Sequence, residues 1–412
     1  MSLSPLYFYF IITLVFAACN AKQNMSVLTL LPFSTDGQLA HVACNEAIKM
    51  VIENVNSRDD ILKDYELVQT VTNEGPTATL ANAGLVKFFQ RAKETNEIIS
   101  PAVFGPTIAC HFSGATAKML GFVTFSPQCS GLYIARQKSR FHLFSLLSPP
   151  HRLLQGLLAF ITQVGKWSEF AIVAFRNNPN SYLMGQYLEK QATEHSLKVL
   201  MVANVFEITM DTMRQLKKSR ARVIAIMIIQ RPMCIKFLCL AHRAGIHPPS
   251  HVFVFPLFNC LIPQLDDLPK ANCSIEVLEE QMTAVFGIGE NQESYDSHHQ
   301  SHSQSLSHST ISSLGYGYET FQRKFTNRTN GIMTLDYQTR LACHDTMMVL
   351  VLALNKTEQV LNVKFNKSLL HFREESKFIQ ELLVNSTLEQ TYITLRTGPT
   401  KFNHAGDRRA PI

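Results

Sequence analysis

The sequence carries little charge for its length. Of 412 residues, 17% are Asp, Glu, Lys or Arg, whereas 46% are hydrophobic. That hydrophobic content excludes general disorder and is enough for one or two sizeable cores. The net charge of +6 is spread along the chain, and its densest basic run is residues 217–222. Such a short run is typical of a solvated helix end rather than of a nucleic-acid-binding face, so no nucleic-acid partner is expected.

Sequence motifs of common enzymes are missing as well. The sequence contains no phosphate-binding G-x-x-x-x-G-K-[ST] or G-x-G-x-x-G loop, no H-E-x-x-H and no G-x-S-x-G. Cys234 and Cys239 are five positions apart, which is not the spacing of a redox pair. A catalytic triad built from residues distant in the sequence would leave no such motif and is the remaining alternative. We therefore predict that the chain is not an enzyme and uses no cofactor or metal.

Beyond the N-terminus, no apolar run reaches the roughly 18 residues that cross a membrane. The N-terminal run, residues 6–18, is itself too short to span comfortably, and the small residues Cys19 and Ala21 follow it. This pattern predicts a signal peptide, residues 1–21, cleaved after Ala21; a membrane anchor is the alternative. The mature chain is expected to enter the secretory pathway. The sequence as given would be secreted, whereas a longer protein that contains it would lie at the extracellular face of the plasma membrane.

Cysteines and glycosylation sequons agree with export. Eight cysteines remain after cleavage, an even number that favours disulfides in an oxidising compartment. They are Cys44, Cys110, Cys129, Cys234, Cys239, Cys260, Cys273 and Cys343. The N-x-[ST] sequons begin at Asn24, Asn272, Asn327, Asn355, Asn366 and Asn385.

Short apolar runs alternate with amphipathic ones along most of the chain. Residues 26–31 and 98–104 are typical of strands, and residues 38–55 of a helix with an apolar stripe from Ala40 to Val55. The alternation restarts after Pro149–Pro150, which we interpret as a hinge or crossover. The sequence thus predicts an α/β protein with two lobes, each a mostly parallel sheet flanked by helices.

The predicted domain order follows from these breaks. Residues 22–148 form the first part of lobe 1 and residues 149–289 form lobe 2. Residues 290–313, rich in Ser and His, form a loop insertion, since no Cys or carboxylate pattern completes a metal site there. Residues 314–391 return to lobe 1, and residues 392–412 start a final crossover that is apparently truncated.

Specific stretches carry a family resemblance. In chain order they are Ala43–Leu67, Gln215–Phe255, Asn272–Ser274, Leu352–Thr357 and Gly398–Arg408. Together they resemble the ectodomain of metabotropic (type B) GABA receptor subunits. These ectodomains belong to the receptor ligand-binding family with the two-lobed, type I periplasmic-binding-protein-like ("Venus-flytrap") fold.

The resemblance implies a disulfide between Cys239 and Cys273. A second family bridge would fall near residues 73–75 and at Pro106, where this chain has no cysteine. Cys110 and Cys129 are candidates for a substitute bridge, and the partners of the other cysteines stay open.

The resemblance also implies ligand positions. Two serines that hold the ligand carboxylate in the family fall at Thr107 and Ser130, whose hydroxyls can still donate to a carboxylate. The family's histidine, tyrosine, acid and aromatic lid residue fall near Ser148, Gln230, Thr339 and Gln38 respectively. Without the acid, a ligand ammonium group lacks a charge-assisted hydrogen bond, so a subunit that binds no ligand is an open alternative. The six positions could equally be ordinary polar loop residues that face water.

Taken with the resemblance, the sequence predicts the ligand-binding extracellular domain of a type B GABA receptor-like G-protein-coupled receptor subunit. It would sense a small amino-acid-like ligand, GABA among the candidates, by lobe closure, and would pair with a second subunit through lobe 1. A G protein would be a partner only if a seven-helix region follows. A natriuretic-type guanylate-cyclase receptor ectodomain and a soluble decoy are the alternatives.

Overall fold

The computed structural model divides the chain into two compact units, of which unit 2 is inserted within unit 1. The structure describes residues 22–31, 38–74, 78–106, 110–127, 129, 141–146, 150–228, 231–256, 268, 271–288, 318–329, 337–389, 393–395, 398–404 and 406–409. Unit 2 contains the described residues 150–288, and the rest belong to unit 1.

Unit 1 is built on a parallel sheet with the strand order β2-β1-β3-β4-β5. Its strands are β1 (Gln23–Leu31), β2 (Tyr65–Asn73), β3 (Ala102–Phe104), β4 (Val123–Ser126) and β5 (Leu143–Ser145). Its helices are α1 (Gln38–Asn56), α2 (Ala78–Thr95), α3 (Cys110–Met119), α9 (Tyr318–Arg328), α10 (Tyr337–Val360) and α11 (Ser376–Leu388), with α4 to α8 in unit 2.

The long helix α10 is central to the core of unit 1. All side chains from Leu341 to Val351 are buried, and the helix packs against α1, α11, β3 and β4. The stripe predicted for α1 is confirmed from Ala43 to Val55, where its residues pack into the same core, while the side chain of Ala40 lies outside the described part. The strand expected at 98–104 is shorter, because Pro101 has no N–H for the ladder; Ile99 makes only an isolated bridge.

Unit 2 repeats the parallel architecture, with the strand order β10-β9-β8-β6-β7. Its strands are β6 (Glu169–Phe175), β7 (Lys198–Val205), β8 (Val223–Ile226), β9 (Val252–Phe255) and β10 (Val285–Gly287). Its helices are α4 (Pro150–Ala159), α5 (Pro179–Glu194), α6 (Met210–Ser219), α7 (Arg231–Arg243) and α8 (Ile275–Met282). A π-helical turn, Phe160–Val164, continues α4.

Alternate residues of the unit 2 strands enter two separate cores. Val173 and Ile226 lie in one core with α6 and α7, whereas Ile172 and Ala225 lie in the other with α4 and α5. Helices therefore cover both faces of this sheet, as the continuous apolar run in β8 predicts.

A small antiparallel sheet completes unit 1. It consists of β11 (Ile393–Leu395), β12 (Gly398–Phe402) and β13 (Arg408–Arg409). The Phe402 ring contacts Phe144 of β5 with ring centroids 5.3 Å apart, which attaches this hairpin to the main sheet. β12 begins the stretch Gly398–Arg408, one of those that carry the family resemblance.

Disulfides cross-link separate chain segments in both units. Cys239 of α7 pairs with Cys273, two residues before the start of α8, as the resemblance implies. The candidate bridge between Cys110 and Cys129 is present. A further bridge joins Cys44 of α1 to Cys343 of α10, 299 positions apart. Cys234 is also disulfide-bonded.

Candidate functional site

The strand order of unit 1 places a topological switch point between β1 and β3. In an order of the type 2-1-3-4-5, the connections leave these two neighbouring strands toward opposite faces of the sheet. A crevice therefore opens outside their carboxyl ends, where ligands bind in open α/β sheets. The first place to look for a site in unit 1 is the edge formed by the ends of β1 and β3.

Gly105 brings the end of β3 close to β1. Its φ of +84° lies in the left-handed region, and a Cβ atom there would lie 2.4 Å from the carbonyl oxygen of Leu30. Its backbone N–H donates to the carbonyl oxygen of Phe125 in β4 at 2.8 Å. Glycine is thus required at this point, and it fixes where the chain continues into Pro106 through a cis peptide bond.

A buried polar knot follows at the same edge. The Ser126 hydroxyl donates to the carbonyl oxygen of Pro106 at 2.6 Å and accepts from the Cys129 N–H at 3.1 Å. The disulfide from Cys129 leads to Cys110, the first residue of α3. The chain segments after β3 and after β4 are therefore held together by covalent and hydrogen bonds.

Other buried polar groups mark the carboxyl edge of unit 1. Glu74 follows β2 and is fully buried, with its backbone N–H donating to the carbonyl oxygen of Leu31 at 3.0 Å. Ser145 ends β5, and its buried hydroxyl has no hydrogen-bond partner among the described residues. Asp407 is buried as well, and its backbone forms an isolated β-bridge with Ser145. The sequence analysis missed these residues and Ser126; polar residues directly at strand ends are the signal that could have found them.

Unit 2 has the equivalent switch point between β6 and β8. At its carboxyl edge the exposed Arg176 follows β6, and its guanidinium carbon lies 5.2 Å from the ring centre of Phe206, which follows β7. Phe206 is 60% exposed, unusual for a large apolar side chain. Next to it, Lys236 of α7 pairs with Glu207 at 2.9 Å and lowers the pKa of that carboxyl. This edge thus presents an aromatic ring together with an arginine and a lysine side chain, none of which the sequence analysis singled out.

The sequence-predicted ligand residues follow these strand ends in the chain. Thr107, Ser130, Ser148 and Gln230 lie outside the described residues, a few positions at most after β3, β4, β5 and β8 respectively. Gln38 opens α1 and Thr339 lies in the first turn of α10, but their side chains are also outside the described part. Pro106 and Cys129, which directly precede Thr107 and Ser130, are in contact, with the Cys129 sulfur 3.1 Å from the Pro106 carbonyl oxygen. The six ligand roles stay predictions.

The described part of the chain offers no group of three or more His, Cys, Asp or Glu side chains arranged to hold a metal ion. Within those same residues, no helix combines the length and the apolar character needed to cross a membrane. The described groups at the two edges offer hydrogen bonding, charge and aromatic contact, which are the kinds of contact that small-molecule sites provide.

Solved structures share the fold across nearly the whole chain. A leucine binding protein, LivK, from Thermotoga maritima has 11% sequence identity and a TM-score of 0.61, covering 93% of both chains. A Desulfitobacterium hafniense ABC transporter substrate-binding protein in complex with Leu has 14% identity and a TM-score of 0.62, covering 94% of this chain and 95% of that one. LivJ from Streptococcus pneumoniae in complex with isoleucine has 11% identity and a TM-score of 0.59, covering 94% of both chains. The predicted two-lobed, type I periplasmic-binding-protein-like fold is confirmed.

No curated protein matches the sequence. The family model described as "Receptor family ligand binding region" matches residues 43–411, which is nearly the entire chain. The chain therefore belongs to the receptor family that this ligand-binding region defines.

Proposed function

We propose that this chain is the extracellular ligand-binding domain of a type B GABA receptor-like, G-protein-coupled receptor subunit that senses a small amino-acid-like ligand by lobe closure. The observation that carries the proposal is the repeated strand order. Each unit has its own switch point, between β1 and β3 in unit 1 and between β6 and β8 in unit 2. Each unit therefore brings a ligand-binding edge, as a two-lobed sensor requires.

The polar groups at the edge of unit 1 suit an amino-acid carboxylate. Hydroxyls at Thr107 and Ser130 would donate to it, and the residues that directly precede them, Pro106 and Cys129, belong to the knot with Ser126. The disulfide between Cys110 and Cys129 anchors described residues close to both positions in the chain, and a site whose surroundings are held in place loses less conformational entropy on binding.

The ligand's amine needs a different partner. The family's acid is replaced by Thr339, so a neighbouring carboxylate or water must take its role. Arg176 and Phe206 at the edge of unit 2 favour a ligand with a second anionic or an apolar group. The solved structures in complex with Leu and isoleucine are consistent with such an apolar amino acid, and GABA remains the candidate that the sequence resemblance supplies.

The test is thermal unfolding of residues 22–412, expressed through a secretory route, with and without millimolar GABA, leucine, isoleucine, glutamate and glycine. A ligand bound only by the folded protein at 100 times its dissociation constant adds about 2.7 kcal/mol of stability. We expect one of these amino acids to raise the unfolding midpoint and the others to leave it unchanged.

Two variants separate specific binding from general salt effects. Thr107→Val removes a predicted ligand hydroxyl three positions after β3 in the sequence and should abolish the rise. Thr95→Val removes an exposed hydroxyl from the last residue of α2, at the opposite edge of the sheet, and should preserve it. A cooperative melt that no amino acid shifts would count against an amino-acid sensor.

Coupling to a G protein is tested by the coding sequence beyond Ile412. Seven apolar segments would agree with the proposal, a single one would favour the guanylate-cyclase type, and none would favour a decoy. A second subunit bound through lobe 1 would be detected by co-purification from membranes.

A further inference from the structure

A groove lies between helices α1 and α9 of unit 1, away from the carboxyl edge of the sheet. Its volume is about 400 Å³, within the usual range of small-molecule sites. One wall is a face of α1 with residues spaced three or four apart, and the other is a face of α9. The lining residues are Met50, Glu53, Asn54, Ser57, Lys324, Asn327 and Arg328.

One of the wall residues is a glycosylation acceptor. Asn327 is exposed and starts the sequon Asn327–Arg328–Thr329 near the end of α9. The Thr329 side chain is buried, and its hydroxyl donates to the carbonyl oxygen of Phe325 at 2.8 Å. In the folded chain the sequon is therefore oriented by α9, with its acceptor asparagine at the groove.

An ion pair and hydrogen bonds order the walls of the groove. Arg328 forms an ion pair and hydrogen bond with Glu53, which joins the two walls. The Ser57 hydroxyl donates to the carbonyl oxygen of Asn54 at 2.8 Å and fixes the end of α1. Amide, hydroxyl, ammonium and carboxylate groups surround one apolar contact, Met50. A sugar ring, which presents hydroxyls at its rim and C–H groups on its faces, matches this mixture.

We propose that the first sugar residues of an N-linked glycan on Asn327 bind in the groove between α1 and α9. The inference rests on the extracellular location in the proposed function, because only an exported chain is glycosylated at this sequon. The covalent link supplies the sugar at an effective concentration in the millimolar range, so even a weak intrinsic affinity fills the groove. A glycan held there also withdraws this face of unit 1 from contact with a partner chain.

Asn385 is the matched control. It is also an exposed asparagine in a helix, α11, and starts the sequon Asn385–Ser386–Thr387, yet it does not line the groove. A glycan on Asn385 should extend into solvent, whereas one on Asn327 should be held against the protein.

The experiment compares how fast peptide N-glycanase releases the two glycans from the native protein. The chain is expressed in a secretory eukaryotic host and treated in ¹⁸O-water, and mass spectrometry quantifies the labelled aspartate at each site over time. We expect release at Asn327 to be about tenfold slower than at Asn385, as follows if the effective concentration is ten times the dissociation constant. After denaturation the two sites should release equally fast, which controls for the local sequence.

Two variants test the groove without touching the sequon. Ser57→Trp fills it and Lys324→Ala removes part of one wall; both residues are exposed, and a thermal melt verifies that each variant folds. In either variant, release at Asn327 should approach the rate at Asn385. Equal native rates in the unmodified chain would overturn the inference, as would variants that fold and leave the slow release unchanged.

The fraction of each sequon that carries a glycan distinguishes a failure of this inference from a failure of the proposed function. A glycan at Asn385 with none at Asn327 would overturn the groove inference alone. Absence of glycans from both sites in an exporting host would overturn the groove inference and the extracellular location together.

Discussion

Removing the disulfide between Cys44 and Cys343 should destabilise unit 1 more than removing any other described bridge. The two cysteines are 299 positions apart, so the bridge closes a very long loop in the unfolded chain. In the chain-entropy model, a loop of this length gives about 5.7 kcal/mol at 25 °C. The bridge between Cys110 and Cys129 closes only 19 positions, and the same model gives about 3.3 kcal/mol.

The two bridges can be compared directly because both lie in unit 1. Each pair is replaced by alanine, since serine would bury unpaired hydroxyls at sites such as Cys343, which is fully buried. Denaturant unfolding followed by circular dichroism should show that the Cys44→Ala/Cys343→Ala variant loses about 2 kcal/mol more than the Cys110→Ala/Cys129→Ala variant.

The bridge between Cys239 and Cys273 is the control in unit 2. Its separation of 34 positions gives about 3.8 kcal/mol in the same model, and this loss should appear in the unfolding of unit 2 only. If the two unit 1 variants unfolded at the same denaturant concentration, loop closure would not be the source of the stabilisation, and the reasoning would be refuted.

Three further changes test single buried groups. The buried Glu358 accepts hydrogen bonds from Tyr65 and two amides, and its burial raises the pKa of its carboxyl group above the unfolded value. The stability that this group contributes at about pH 4 should therefore fall as the pH rises through the raised pKa. Glu358→Gln should remove this pH dependence from the urea unfolding midpoints. Gly105→Ala should cost at least about 2 kcal/mol by denaturant unfolding, because the φ of +84° and the contact with Leu30 both oppose a Cβ atom; an unchanged midpoint would contradict the close approach. Gln281→Ala should cost about 2 to 3 kcal/mol in the unfolding of unit 2, since its amide donates to two carbonyls in a buried site, whereas the unfolding of unit 1 should stay unchanged.

Most helices and long strands could be predicted because their signals are local. The stripe of α1 and the continuous apolar run of β8 each lie within a single window of the sequence. The short strands β5 and β10, three residues each, escaped detection because so few residues show no periodicity. They become strands only through pairing with β4 and β9.

The candidate site was likewise only partly predictable from the sequence. The family resemblance supplied Thr107 and Ser130, whereas the strand order that locates the carboxyl edges came from the structure. The knot of Pro106, Ser126 and Cys129 was not predictable, because its members lie up to 23 positions apart and meet only when β3 and β4 pair. The same is true of the groove at Asn327, whose walls come from helices more than 250 positions apart in the sequence.

By itself, the sequence determined the α/β class, the two-lobed architecture and the receptor-family resemblance, since each depends on local periodicity or on contiguous motifs. The tertiary structure alone decided which cysteine pairs with Cys44, which polar groups are buried at the carboxyl edges, and which sequon faces a groove. These features are contacts between segments distant in the chain, and hydrophobic burial brings such segments together without leaving a periodic signal in either one.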